Sequence, residues 1–430
     1  MSSSLTPHPW RRRIARFLAG VVVVIIAVLF VLMVVDAIWG NSGKQLTTLS
    51  PHGIWADKIQ KLVIGVFGLG LVIGVLVMAV VGFIAWRFRD TGDVETEDEL
   101  PEQVHGRTAL EIGWTALPAL ILLVVGVFTV LTLVQLNEPD AKAMHIEVSG
   151  QQWWWSYHYD INGDGNYTGT GDIITATEMV IPVNTEVELT VTSNDVIHSF
   201  WIPALNGKRD AVPGQHHPWK LQANQIGVYR GQCTEFCGLS HANMRMLVRV
   251  VSQDDYNAWV RNQLKPAATP APGSQAEAGK AVFSAQLCSS CHLIDGVNND
   301  KVADPDKGVK SLLVSGVAPN LTHFATRGTF IGSIQNLYSP SSSSNPDEPG
   351  RPAETADPAN VGNPGKALFG QDPAPFYINR PALASWLRNP DKVKPAANTP
   401  NAPGKYRGMP NLGLSTQQID DLVAYLSSLK

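Results

Sequence analysis

Two uncharged runs restrict what this chain can fold into more than any other feature. Leu62 to Trp86 and Ile112 to Leu136 each hold twenty-five residues without a charged side chain. Backbone in hydrocarbon finds no water to bond, so such a run must satisfy its N–H and C=O groups internally, as a helix. About 20 residues cross a bilayer, and a few more cross it with some tilt. Residues 38–136 therefore read as a two-helix transmembrane hairpin with spans at about 62–86 and 112–136. A further apolar segment, Phe17 to Val35, follows Arg11, Arg12, Arg13 and Arg16. A signal-peptide core runs to ~7–15 residues and a spanning helix needs ~20, so residues 1–37 read either as a signal peptide or as an N-terminal membrane segment. The arginines hold the N-terminus inside. The chain is then outside near residues 36–60, inside at Arg87-Phe88-Arg89, and outside again from about residue 137.

Beyond the hairpin the pattern shortens. Segments such as His145–Ser149, Glu186–Val191 and Met246–Val251 alternate apolar and polar side chains between turn residues, which reads as an antiparallel β-sandwich over 137–264. It closes on a short helix, Asp254 to Leu264. Lys265 to Gly273 is rich in proline and alanine, a semi-rigid spacer, and defines a linker over 265–274. A second domain fills 275–430, interrupted by a Pro-, Ser- and Asp-rich insert at about 339–365. Net charge is −4 and no basic patch interleaved with aromatics occurs, so nucleic acid is not an expected partner. Asp160-Ile161-Asn162-Gly163-Asp164-Gly165 opens like a calcium loop, but its twelfth position is Gly171, so a glycine-rich turn is the reading.

The four cysteines fall into two motifs. Cys233-Thr234-Glu235-Phe236-Cys237-Gly238-Leu239-Ser240-His241-Ala242-Asn243-Met244 carries two thiols, an imidazole and a thioether, with His198 upstream. A disulfide and a Cys2His2 zinc site are both open on these residues. Soft thiolates and thioether beside imidazole nitrogen favour copper, and a weak Met ligand marks an electron-transfer site. One copper needs only one Cys, so the second is surplus unless two metals share the thiolates. His198 together with the C-T-E-F-C-G-L-S-H-A-N-M string resembles the dinuclear copper (CuA) loop of cytochrome c oxidase subunit II. The resemblance implies two coppers bridged by Cys233 and Cys237, capped by His198 and His241, with Met244 and the Glu235 carbonyl as weak ligands. It further implies a cupredoxin-like Greek-key sandwich, and a magnesium or manganese ion shared by the Glu235 side chain with subunit I.

Two more residues acquire roles by the same resemblance. Trp153, first of the Trp153-Trp154-Trp155 run, is implied as the electron entry to CuA; on its own residues the run is good strand material, with at least one ring exposed or at an interface. Glu111, at the start of the second run, is implied as the entrance of a proton path, although a helix N-terminus favours an acid through its dipole alone.

The second motif is Cys288-Ser289-Ser290-Cys291-His292, the C-x-x-C-H signature of covalent haem c attachment, with His292 as proximal iron ligand. A redox-active thiol pair is the plain alternative. After this motif the chain has one methionine, Met409, and one histidine, His323. Met409 lies in a Met-Pro loop ahead of an amphipathic helix from Ser415 to Leu429, and His/Met ligation raises a haem potential. His323 is expected near the haem edge or at the surface. The order resembles an all-α class I cytochrome c, with Gly316 to Leu321 as the loop supporting His292.

The whole chain thus resembles subunit II of a caa3-type oxidase. That implies the electron-input subunit of a cytochrome c oxidase, passing electrons from haem c to CuA and on to haem a of subunit I, where dioxygen is reduced with proton translocation. Implied partners are subunit I, subunit III, a soluble or membrane cytochrome c or a bc1-type complex, and the lipid bilayer of a bacterial inner (plasma) membrane, with both redox domains on the periplasmic face. Tethering would hold the cytochrome at about millimolar effective concentration. Two rivals stay open here: the equivalent subunit of a CuA-type nitric oxide reductase, and a stand-alone membrane-anchored electron carrier.

Overall fold

The computed structural model describes residues 46–89, 106–138, 140, 143–167, 171–286, 288–298, 318–339, 377–396 and 408–430, with Gly20 and Val28. The rest of the first apolar segment, residues 90–105 between the two long runs, and residues 340–365 of the insert lie outside the described residues.

Both apolar runs are helices, α1 (Ile54–Arg87) and α2 (Thr108–Asn137). Each extends beyond the uncharged run. At 1.5 Å per residue, 34 residues make a rod of about 50 Å, longer than the ~30 Å hydrocarbon core. The extra length lies at the N-terminal end of α1, where Asp57 and Lys61 pair across one turn and Trp55 and Ala56 are buried. Beyond it, large side chains such as Phe67, Val72, Leu76 and Phe83 are exposed. That is an apolar surface suited to lipid or partner helices.

The hairpin is seated on the β-domain. His52 donates to the Ala204 carbonyl, Ala56 N–H to Leu205, and Asn224 N–H returns to His52. A Cβ on Gly53 would lie 2.1 Å from the Gln222 carbonyl oxygen, so only glycine permits this approach. Lys58 donates to Gln135 of α2 at 3.1 Å and lies over the Trp55 ring. The start of α1 and the end of α2, where Leu136 is buried, therefore share one side.

The β-domain has a five-stranded sheet ordered β3-β2-β1-β5-β8 and a three-stranded sheet ordered β4-β10-β9. Their strands are β1 (Met144–Gln151), β2 (Trp154–Tyr159), β3 (Ile173–Ala176), β4 (Glu178–Pro182), β5 (Val187–Ser193), β8 (His217–Leu221), β9 (Gly227–Gln232) and β10 (Arg245–Val251). A ribbon of β6 (His198–Trp201) and β7 (Lys208–Ala211) lies between. The sandwich is mixed rather than purely antiparallel, because β1 runs parallel to β5 and β4 parallel to β10. Period-two patterning sets which face is buried but does not encode strand direction. Trp155, Tyr157 and Tyr159 alternate inward along β2 and are fully buried, with Phe200 edge-on to Trp155 at 5.3 Å. Burying a side chain such as Phe200 contributes about 1.5–3 kcal/mol. Trp153 is not in a strand; it sits in the turn between β1 and β2, so the tryptophan run is broken there.

The C-terminal domain is built on α4 (Gln275–Ala285) and α7 (Thr416–Ser428), which cross at Gly279. A Cβ there would meet the Asp421 carbonyl oxygen at 2.0 Å. Phe283 and Tyr425 fill the crossing edge to face at 5.9 Å. Ser274 and Ser415 cap these helices, the latter in a capping box with Gln418. The same device, Ser252 on Asp255 N–H, starts α3 (Gln253–Gln263) on the β-domain. Short helices α5 (Arg380–Arg388) and α6 (Pro390–Val393) complete the domain, and two two-residue ribbon pairs, β11 (Thr329–Phe330) with β12 (Gln335–Asn336) and β13 (Tyr338–Ser339) with β14 (Tyr377–Ile378), are added to the expected all-α plan.

His323 is not at the surface, one of its two expected places. It is 4 % exposed, and its ring nitrogens lie 2.9 Å from the Lys430 carbonyl and 3.0 Å from the Lys265 carbonyl. It joins the C-terminus to the segment leaving α3, away from any surface role. The haem domain is also packed against the β-domain rather than merely tethered to it.

Candidate copper and haem sites

The copper-type donors converge because two elements meet at the sheet edge. His198 begins β6. Thr234 N–H donates to Ser199 in the same strand, and Cys233 N–H donates to Met244, closing the twelve-residue loop at its neck. Inside the loop a 3-10 turn over His241–Asn243 sets His241 and Met244 back towards the sulfurs. Cys233 Sγ lies 3.9 Å from Cys237 Sγ, 4.0 Å from His198 Nδ1 and 3.3 Å from the Glu235 carbonyl oxygen. Cys237 Sγ lies 3.5 Å from His241 Nδ1 and 3.8 Å from Met244 Sδ. Two sulfurs face each other, and one imidazole stands beside each. Among the described residues, His198, Cys233 and Cys237 form the group whose donor atoms all lie within 4.8 Å. This soft, nitrogen-flanked donor set fits copper. The sulfurs are too far apart to be bonded, and both cysteines are free thiols.

Burial and a carboxylate pre-set the His198 ring. Its Nε2–H donates to Asp195 Oδ1 at 2.8 Å, which leaves Nδ1 as the lone pair facing the thiols. Burial lowers the His198 pKa, but the Asp195 and Cys233 hydrogen bonds outweigh it and the net shift is upward. Asp195 is held down in turn, against burial, by His198 and the Gln152 and Val196 N–H groups. The contact with Cys237 lowers the Cys233 pKa against burial, with help from His198, and the shared proton raises Cys237. Gly150 makes room for the imidazole, since a Cβ there would lie 2.8 Å from the ring.

Trp153 touches this loop directly. Its indole N–H donates to the Cys237 carbonyl at 3.0 Å, and the Gln152 amide donates to the same oxygen at 2.7 Å. Gly238, at φ +112°, allows the close pass of that ring. The ring is buried, 3 % exposed. Glu235 is half-buried at the loop edge, beside the exposed rings and side chains of Phe236 and Leu239. Glu111 is exposed in the first turn of α2, remote in sequence from these groups.

In the C-terminal domain, Cys288 to Ser290 form a 3-10 turn directly after α4, and His292 N–H closes it on the Cys288 carbonyl. His292 Nδ1 donates to the Pro319 carbonyl at 2.7 Å, so its Nε2 is presented as a neutral lone pair. Burial lowers the His292 pKa and keeps the ring uncharged. Burial also pushes the Cys288 thiol up to about 11, opposite to the lowered thiol of a redox-active pair. Cys288 and Met409 both line the second core. These residues fit a covalently held haem. Gly316 and Val317 of the supporting loop lie outside the described residues.

Comparison with known proteins gives the same three parts. Residues 50–131 match the transmembrane domain and 144–251 the periplasmic domain of cytochrome c oxidase subunit II, and residues 276–430 match cytochrome c. The subunit 2 of Bacillus sp. (strain PS3) is 30 % identical over 353 residues, covering 78 % of each chain. This chain belongs to the cytochrome c oxidase subunit 2 family. The subunit 2 of Alkalihalophilus pseudofirmus is 29 % identical over 396 residues, 90 % of this chain and 92 % of the relative. A solved periplasmic domain of cytochrome oxidase subunit II from Bradyrhizobium japonicum is 34 % identical over 29 % of this chain and 95 % of its own, with a TM-score of 0.26.

The oxidase subunit is accordingly a membrane-anchored component of the oxidase with a periplasmic copper domain and a cytochrome c domain. Other oxidase subunits are its partners. The relatives favour oxidase over nitric oxide reductase or a stand-alone carrier. Sequence reasoning passed over Asp195, although its place three residues before His198 was a usable signal. It also passed over Glu178 and Lys394, for which no local pattern exists.

Proposed function

We propose that Cys233, Cys237, His198 and His241 would hold two coppers, with Met244 and the Glu235 carbonyl as weak ligands. Cys288 and Cys291 would hold haem c by thioethers, with His292 and Met409 as the ligand residues of its iron. When bound, the two groups accept and release single electrons, which this subunit relays from a donor to haem a of subunit I. The chain's own part is to hold donors in one geometry, keep water from the thiolates, and link Trp153 to Cys237 through the indole N–H. Trp153 is the entry to the copper pair. Glu235 contributes its side chain to a magnesium or manganese ion at the subunit I interface, and Glu111 opens a proton path.

The domain limits are those read from the sequence: hairpin to 136, copper domain 137–264, linker 265–274, cytochrome domain 275–430. The chain is multi-pass in a bacterial inner membrane, with both redox domains on the periplasmic side. It works with subunits I and III and is fed by a cytochrome c or a bc1-type complex. The observation that carries this reading is the facing pair of sulfurs at 3.9 Å with one imidazole Nδ1 beside each.

Metal analysis with visible and near-infrared spectra on the full chain, matured with haem and copper, tests it. Two coppers and one c-type haem, with a mixed-valence copper band, are expected. One zinc or a single copper would overturn the ligand assignment. In the assembled oxidase, Glu111→Gln is expected to slow turnover and leave both metal spectra unchanged; undiminished turnover would reduce Glu111 to a helix-end acid.

A further inference from the structure

The face of the copper domain that carries Trp153 is covered, and the cover belongs to the same chain. Two stretches of the haem domain lie on it: residues 328–333 and residues 394–396. Each is fixed by a buried side chain, Glu178 for the first and Lys394 for the second.

Glu178, the first residue of β4, is 3 % exposed and ion-paired with Arg249 of β10. A single partner leaves most of a carboxylate's lone pairs unmet, and a buried charge is expensive unless they are filled. The haem domain fills them. Glu178 Oε1 accepts from Thr329 N at 2.6 Å and Thr329 Oγ1 at 2.7 Å, and Oε2 accepts from Gly328 N at 3.1 Å. Three of its four donors therefore come from across the domain boundary. The neighbouring Arg327 guanidinium donates to the Asn320 carbonyl, next to Pro319, whose carbonyl orients His292. The anchor on the copper domain is thus continuous with the loop that orients the haem histidine.

The second anchor points the other way. Lys394, in the haem domain after α6, is 8 % exposed, and its ammonium donates to the carbonyl of Trp153 and to that of Ile331. Beside it, Arg245 N–H donates to Gly332 at 3.1 Å and Ser240 Oγ donates to Pro395. Gly332, at φ +68°, passes so close that a Cβ would lie 2.8 Å from the Asn243 carbonyl oxygen. Ser240 and Asn243 belong to the copper loop itself. Ala396 packs into the core of the β-domain.

We propose that Glu178 and Lys394 are positioning residues that lock the haem domain onto the Trp153 face of the copper domain, making the haem a fixed port and closing Trp153 to any external protein donor. The lock rests on the copper and haem reading above. One electron passes from ferrous haem to the oxidised copper pair with no bond made or broken, and an outside one-electron donor must deliver to the haem. A tethered but free domain would instead spend part of its time away from Trp153, and its transfer rate would follow its diffusion.

The test uses the assembled holo-oxidase. Flash-induced electron transfer from haem to copper is followed as sucrose raises the viscosity, and amide exchange is measured over residues 328–333. In the wild type the rate is expected to be independent of viscosity and the amides protected. Lys394→Met keeps the apolar stem and removes the donor. Thr329→Val keeps the shape and leaves the Glu178–Arg249 pair intact. Each is expected to slow transfer about tenfold, the population change that about 1.4 kcal/mol makes, and to make the rate viscosity-dependent. Amide protection should fall with it. A viscosity-dependent wild type, or both variants transferring at the wild-type rate with protected amides, would overturn the lock. Copper and haem content of the same samples separates the two readings. Loss of either group from the wild type refutes the ligand assignment, whereas amide exchange reports on the lock without either group.

Discussion

The copper loop and the haem region of this chain hold their redox groups by opposite strategies. The copper donors span twelve residues plus one strand end, and backbone hydrogen bonds from Cys233 to Met244 and from Thr234 to Ser199 set them against a finished sheet. Their geometry is a property of the protein. The haem residues run from Cys288 to Met409, and the apolar wall around them is built from helices far apart in the chain. There the proposed thioethers at Cys288 and Cys291 would anchor the group within that wall. A preorganised site resists small changes and fails completely when a donor is lost. A site assembled on a covalent anchor keeps its cofactor when a distal ligand goes.

The largest contrast is expected from the cysteines. Cys233→Ser removes one of the two proposed bridging sulfurs and should abolish the copper centre while haem remains attached; normal copper content by metal analysis would contradict the bridge. Met409→Leu should behave in the opposite way. Haem stays covalently bound, the sixth position is vacated and the potential falls, because His/Met ligation raises it. An unchanged visible spectrum would remove Met409 from the ligand set, and the buried His323, whose ring nitrogens face the Lys430 and Lys265 carbonyls, would not replace it without local unfolding.

A smaller effect sharpens the comparison from the second layer of residues. Asp195→Asn keeps the shape beside His198 but weakens the hydrogen bond at Nε2, and a partner of this kind is worth ~10–100-fold in metal affinity. Copper titration should show the loss with the haem spectrum unmoved. The smallest effect is on the sheet alone. Burial lowers the His158 pKa to about 4, so the folded chain binds fewer protons there than the unfolded chain between that value and the ordinary histidine value of 6.5. The stability contributed by the neutral ring is full above pH 6.5 and is lost as pH falls through 4. Thermal unfolding of His158→Gln should be flatter across that window than the wild type, and an equally steep curve would mean the ring is not the titrating group.

Much of this molecule was legible along the chain. Uncharged runs of twenty-five residues can only be helices in a bilayer, and α1 and α2 contain them. Thiols, imidazole and thioether within twelve residues specify their chemistry whatever the surrounding fold, because ligand softness belongs to the side chains. The Cys-x-x-Cys-His string carries its own chemistry in the same way. The terminal helix read from Ser415 starts there, with Ser415 as its cap.

Other features needed the third dimension. Strand direction in the β1–β5 and β4–β10 pairs was not readable, since a two-residue period is the same for parallel and antiparallel neighbours. Nor was the burial of Trp153, which depends on a lysine 241 positions away in the chain. Sequence determined which groups this chain can hold and which segments are long and apolar enough to cross a membrane, because those follow from local composition and spacing. Tertiary structure alone decided how the two redox domains face each other, because Glu178 and Lys394 find their partners only when a folded surface brings distant backbone groups within hydrogen-bond reach.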